Sequence, residues 1–228
     1  MDEWNKDYPE DLDDSGAEMH RSTKRKEKEH VSWQVSVLQY LHDIVYLLAI
    51  IVIVFLLLFR VVVVSGTSMN DTLMDGDYLL LLGDALYRQP KQGDIIVAAK
   101  ESFDDGAPIV KRVIATEGQW VDIDFSEGIV YVGDDPGSMQ PLHESYTKSL
   151  TTNPEGVTFP LQVSDGCIFV LGDNRGRSKD SRSPEIGLID EREVLGKVIF
   201  LFLPGTNGTD SFGNPNVKRD FGRIGVVS

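Results

Sequence analysis

Three segments carry side chains able to do covalent or acid–base chemistry. The first is Ser65-Gly66-Thr67-Ser68-Met69. A serine hydroxyl is a weak nucleophile until a base takes its proton. A glycine two positions earlier lets the main chain turn tightly and lets a carbonyl approach it. A serine in such a turn is more often just part of the turn. The second is Lys111, within Ile109-Val110-Lys111-Arg112-Val113-Ile114-Ala115. Alternate residues of a strand share a face, which sets Lys111 beside Ile109, Val113 and Ala115 and turns Arg112 to the other side. Apolar neighbours penalise the charged amine and lower its pKa, and a neutral lysine serves as a general base. The plainer alternative is a solvated lysine guarding an edge strand. The third is Gly172-Asp173-Asn174-Arg175-Gly176-Arg177-Ser178-Lys179-Asp180-Ser181-Arg182. It is either a polar surface loop held by its own turns or an arm that organises a site.

These segments need a scaffold. Residues from Tyr78 to Leu82, Asp94 to Ala99, Ile109 to Ala115, Val121 to Phe125, Ile129 to Val132, Cys167 to Leu171 and Val198 to Leu203 read as strands. Gly, Asp, Asn and Pro punctuate them. Short strands with no helices between them predict a mainly β, antiparallel domain over residues 65–204. No internal repeat is visible. The stretch from Asp134 to Pro160 reads as inserted loops, and residues 205–228 as a loop-like tail.

Ahead of this domain lies an uncharged run from Ile44 to Phe59. With its flanks, Leu41 to Val64, it reaches the roughly 20 residues that a helix needs to cross about 30 Å of hydrocarbon. Residues 33–64 are therefore expected to be one transmembrane anchor helix. Arg60 would snorkel from its end, and Asp43 would mark the other interface. The run starts late, exceeds a signal-peptide core and lacks a small-x-small site behind it, so it reads as uncleaved. Residues 1–18 are acidic and without apolar periodicity, and the tail 1–32 is expected to be disordered. Arg21, Lys24, Arg25, Lys26 and Lys28 form a basic cluster that sets the N-terminus on the cytoplasmic side and residues 65–204 outside.

Composition excludes several other classes. A net charge of −14 over 228 residues argues against binding nucleic acid. The lone cysteine, Cys167, permits no intramolecular disulfide and is expected to be a small buried residue. His20, His30, His42 and His143 are scattered, so no metal is expected.

In this order, the segments resemble the bacterial type I signal peptidases. The family's Ser-Met-x-Pro-Thr-Leu reads here as Ser68-Met69-Asn70-Asp71-Thr72-Leu73, with Asp71 where the family has proline. A Gly-Asp-strand block is Gly76-Asp77-Tyr78-Leu79-Leu80. The lysine block is Lys111-Arg112-Val113-Ile114-Ala115-Thr116-Glu117-Gly118. The last block is matched by Gly172, Asp173, Asn174, Ser178, Asp180, Ser181 and Arg182, and Gly196-Lys197-Val198 opens a strand ending at Pro204.

The resemblance implies a membrane-bound serine endopeptidase that cleaves signal peptides from exported preproteins after small-x-small sites. It needs no cofactor and has membrane lipid as its surroundings. Ser68 would be the nucleophile and Lys111 its base. The Ser68 N–H would be the principal donor of an oxyanion hole formed by Ser68 and Gly66, Gly66 standing two residues earlier where some members add a hydroxyl. Ser178 would orient the lysine amine, and Asp173, Asp180 and Arg182 would hold the site as a charge network. Substrate would add as a strand, with Met69, Leu73 and Leu79 lining the side-chain pockets. Two rival readings are a soluble, DNA-linked self-cleaving protease with the same dyad logic and a membrane protein whose β domain only binds partners. The anchor and the acidic charge weigh against the first. Asp71 is the only feature favouring the second, and a serine-directed probe separates it from the enzyme.

Overall fold

The computed structural model describes residues 15–205 and 219–227, with side chains from residue 33 onward. The chain divides into two compact units, one up to Val54 and one from Phe55.

Helix α1 covers Ser15–Leu58. Residues 15–32 are thus helical backbone, where a disordered tail was expected. Their Lys, Glu, Arg and Ala content favours helix, and propagation from an existing helix avoids the cost of a new nucleus. Within α1, Trp33–Leu58 has a mean hydropathy of 2.8 over its most apolar window, none of it buried in protein. Twenty-six residues at 1.5 Å each extend about 39 Å, ample for a bilayer. The acidic residues 1–14 lie outside the described residues.

The apolar run does not stay helical to Val64. It converts to strand β1, Phe59–Val63. β-branched side chains lose χ1 freedom in a helix and pack well on a pleated surface. Here the Val61-Val62-Val63 run finds a partner in β2, Tyr78–Gly83, with Val61 opposite Leu80. Arg60 is accordingly not at a helix end. It lies on β1, ion-paired with Asp84 at 3.3 Å.

The remaining strands are β3 (Ile95–Ala99), β4 (Pro108–Thr116), β5 (Trp120–Asp124), β6 (Ile129–Gly133), β7 (Gln140–Pro141), β8 (Leu161–Gln162), β9 (Cys167–Leu171), β10 (Ile189–Asp190), β11 (Val194–Leu203) and β12 (Gly225–Val226). All pairings are antiparallel. One sheet runs β1-β2-β11-β3-β4-β9-β10, with β12 on β11, and a smaller one runs β7-β6-β5-β8. The mainly β, antiparallel expectation matches this architecture. Between residues 134 and 160 only β7 is regular.

Three apolar clusters hold the domain. One combines Met69 and Leu73 with Leu79, Leu81, Ile95, Val97, Val198 and Leu201. A second unites the two sheets through Ile114, Ala115, Val121, Val130 and Phe169. The third backs β3 and β4 with Ile96, Val113, Val170 and Ile186. β4 changes face along its length. Val113 pairs with Val170 and Ala115 with Phe169, so Ile114 is an extra residue. Such a bulge flips the alternation, and Ala115 therefore packs in the second cluster rather than beside Val113. Cys167, expected to be a small buried residue, is partly buried at the start of β9 and packs against the second cluster.

The tail also differs from expectation at its far end. β12 adds to the β11 edge, with Val226 opposite Phe200. Arg223 donates to both oxygens of the buried Asp77 at 3.0 and 2.6 Å. Asp77 in turn accepts the Met74 and Gly205 N–H groups. One carboxylate thus ties the turn after Ser68 to the end of β11 and to the tail.

Candidate active site

Ser68 follows β1 on a short irregular segment and is partly buried. Gly66 precedes it at φ 96°, a left-handed conformation that a side chain would disfavour. Two contacts pin the Ser68 segment from the loop after β9. The Asn174 N–H donates to the Ser68 carbonyl at 2.9 Å, and Asn174 Nδ2 donates to the Thr67 carbonyl at 2.9 Å. The close approach depends on Gly172. A Cβ there would lie 2.1 Å from Ser178 Oγ and 2.5 Å from the Ser68 carbonyl oxygen. Gly172→Ala is therefore expected to push the loop off Ser68 and cut peptide cleavage at least about tenfold, since a displacement of 1 Å near a reacting group costs that order or more. Turnover of a peptide by the purified full chain checks this.

Lys111 is brought to Ser68 by β4, opposite Ile96 of β3. Its Nζ lies 2.9 Å from Ser68 Oγ and 3.0 Å from the Val110 carbonyl oxygen. The residue is only 4% exposed. Burial lowers its pKa from 10.5 to about 8, against the opposing pull of Asp180, Asp173 and Glu155. Once deprotonated, the amine has one lone pair, and Ser68 Oγ stands where its proton can be taken.

The charged residues behind the pair form two buried clusters. Arg112 sends Nε and one terminal nitrogen to the two oxygens of Asp173, each at 2.9 Å. Thr72 Oγ1 adds a bond to Asp173 at 2.5 Å. The Arg112 guanidinium is stacked 3.9 Å from the Tyr146 ring centre. Asp180 accepts from Arg182 at 2.8 and 2.9 Å and from the Gly172 N–H at 3.0 Å. Arg182 also donates to the carbonyls of Asn153, Arg175 and Ser178. Arg175 grips Glu144 and donates to Thr151 Oγ1 at 2.6 Å and to the Gly172 carbonyl at 3.1 Å. Buried charges persist only when paired in this way.

Asp173, Asp180 and Arg182 lie within this network. Ser178 Oγ is buried and has no hydrogen-bond partner among the described residues, Lys111 included. The Ser68 N–H makes no hydrogen bond among the described residues, whereas the Gly66 N–H is taken by Asp75 Oδ1 at 2.8 Å. Gly66 is thus closed as an oxyanion donor. Met69, Leu73 and Leu79 are at most 1% exposed and sit in the core rather than on a pocket wall. Their apolar character, read as pocket lining, serves packing. Sequence reasoning assigned no role to Thr72, Arg112, Glu144, Tyr146 or Arg175. Strand alternation says of Arg112 only that it points away from Lys111. Glu144 and Tyr146 come from the inserted loops, where no periodicity marks a side chain's direction.

A buried amine against a hydroxyl, on an antiparallel β scaffold, is the kind of arrangement found in hydrolytic enzymes with a covalent nucleophile. A family model described as "Signal peptidase, peptidase S26" matches residues 37–203. The chain belongs to that family and is a peptide-bond hydrolase of the signal peptidase I type. It is 31% identical over 172 residues to the signal peptidase I of Bacillus licheniformis, covering 74% of this chain and 90% of that one. It is 34% identical to the probable signal peptidase I-1 of a Synechocystis strain, over 63% of this chain and 70% of that one. A crystal structure of a signal peptidase I from Enterococcus faecalis V583 aligns at 28% identity over 48% of this chain and 97% of its own, with a TM-score of 0.38.

Proposed function

We propose that this chain is a membrane-anchored serine endopeptidase that removes signal peptides from exported preproteins after small-x-small sites, with Ser68 as nucleophile and Lys111 as its base. The observation that carries the reading is the desolvated Lys111 amine 2.9 Å from Ser68 Oγ. Neutral Lys111 takes the Ser68 proton as Oγ attacks the scissile carbonyl. The free Ser68 N–H receives the developing oxyanion. Lys111 then passes its proton to the departing amine, leaving an acyl-enzyme, and finally draws a proton from the water that hydrolyses the ester. The unpartnered Ser178 hydroxyl is the group available to steady the amine between these steps.

Substrate is expected to bind as an added strand. β4 supports this, since its pairing with β9 begins only at Arg112. The Pro108–Val110 stretch therefore carries an edge without a β9 partner, directly before Lys111.

The bilayer is the expected setting. The Trp33–Leu58 helix supports an anchor, and the basic residues 21–28 ahead of it favour a cytoplasmic N-terminus with the β domain outside. A sheet face of the β domain fits the same setting. Val61, Leu80, Phe200 and Val226 follow one another across β1, β2, β11 and β12, and Val61, Val63, Phe202 and Val226 are exposed. An apolar sheet face of this kind suits a lipid surface better than water.

A serine-directed acylating probe tests the dyad. It is expected to label the wild-type chain and not Ser68→Ala, with a labelling rate that climbs with pH and is half-maximal at about 8. Equal labelling of Ser68→Ala would remove Ser68 from the role of nucleophile.

A further inference from the structure

Two adjoining pockets near Ser68 are bordered by side chains, Arg177 and Asn70 among them, that the cleavage chemistry leaves unused. One, of about 320 Å³, is bordered by Thr67, Asn70, Asn174 and Arg177. The other, of about 640 Å³, is bordered by Glu155, Arg177, Ser178 and Lys179. Arg177 stands on both rims. The buried side-chain polar atoms without partners among the described residues are Asn70 Oδ1, Glu155 Oε2 and Ser178 Oγ. All three belong to residues that border these two pockets. Orphaned buried oxygens are costly unless something completes them.

Of the basic side chains that border the two pockets, one is left without an acidic partner. Lys148 is paired with Asp71 at 2.7 Å and Lys179 with Glu185 at 2.5 Å. Arg177 is exposed, and its guanidinium has neither a hydrogen bond nor an ion pair among the described residues. Its main chain is nevertheless tied through Asn174 to the nucleophile segment. Its N–H donates to the Asn174 carbonyl at 3.0 Å, and the Asn174 N–H donates to the Ser68 carbonyl. Substrate residues before the scissile bond are assigned to the Pro108–Val110 edge. Asn70, Asn174 and Arg177 border the pocket that Thr67, next to Ser68, also lines, and this is the surface left for the chain that leaves the scissile carbonyl.

We propose that these pockets receive the first residues after the scissile bond, and that Arg177 selects an acidic side chain there and disfavours a basic one. The inference rests on the peptidase reading above. Arg177, exposed on both rims, forms a forked pair with the carboxylate of the departing segment. The selection is a difference between substrates, made partly by repulsion of the wrong charge.

The test uses the full chain in detergent and two peptides with the same leader. One carries Asp and the other Lys at the second and third positions after the cut. Wild type is expected to cleave the Asp peptide with a kcat/KM about threefold to tenfold higher, as suits partly exposed charge pairs. That ratio should shrink between low and high salt. Arg177→Glu is expected to reverse the order and Arg177→Gln to abolish the preference. Both should keep the wild-type melting temperature, because the side chain is exposed. An unchanged Asp-over-Lys order in Arg177→Glu overturns the assignment while leaving the peptidase reading intact. Failure of wild type to cleave either peptide removes both.

Discussion

Lys111→Met is expected to lower kcat/KM by about a thousandfold or more while leaving the protein at least as stable at pH 7. Loss of a positioned general base costs about 10² to 10⁴, and loss of nucleophile activation sits at the upper end. The stability half follows from the depressed pKa. The amine titrates at about 8 in the fold against 10.5 when free. Below pH 8 both states hold the proton, and burial of the charged form works against folding. The gap between 8 and 10.5 corresponds to about 3 kcal/mol. Between those pH values the unfolded chain binds a proton that the folded chain has released. Stability of wild type should therefore rise with pH over that window. Methionine fills a similar volume without charge, at the expense of the bonds to Ser68 Oγ and the Val110 carbonyl. The variant should lose the pH-dependent rise and melt at or above the wild-type temperature at pH 7. Thermal melts at pH 7 and 9, beside peptide turnover, check both halves. A stable variant with near wild-type turnover would exclude the lysine base.

Asp173→Ala is expected to destabilise the fold by about 3 to 5 kcal/mol, the range for stripping one partner from a buried ion pair. Arg112 is 2% exposed and gives two of its donors to this carboxylate. Its remaining bond, to the Gly93 carbonyl, and the Tyr146 ring do not neutralise the charge. Thr72, on the turn that follows Ser68, loses its anchor too. Adding Arg112→Met to Asp173→Ala should recover much of the stability, because the stranded charge is gone. The pH profile carries a second signature. Asp173 favours the protonated amine of Lys111, so its removal should move the rising limb to lower pH. Denaturant melts of the single and double variants, with pH–rate profiles where the fold survives, read both effects. A single variant as stable as wild type would mean that the pair contributes nothing.

Much of this chain is legible one residue at a time. The seven expected strands all appear, because alternation and Gly, Asp and Asn punctuation are local properties. The apolar span is equally plain from length and composition. Ser68, Lys111 and the Gly172–Arg182 loop could be singled out because nucleophile, base and dense polar loops are rare side-chain combinations in such settings. The end of the helix could not be read in this way. Ile, Leu and Val suit a membrane helix and a strand alike, and only the partner β2 turns Phe59–Val63 into a strand.

The tertiary structure decided the rest, because it alone brings distant residues within reach. The distance of 2.9 Å between Lys111 Nζ and Ser68 Oγ joins positions 43 apart in the chain. Arg112 finds Asp173 across 61 positions, and Arg175 finds Glu144 across 31. The assignment of Met69, Leu73 and Leu79 to the core likewise depends on which face the sheet covers. A sequence states which groups are present and what chemistry each permits. Burial, pairing and a lysine pKa near 8 belong to the folded surroundings, since desolvation and Coulomb energy depend on separation in space.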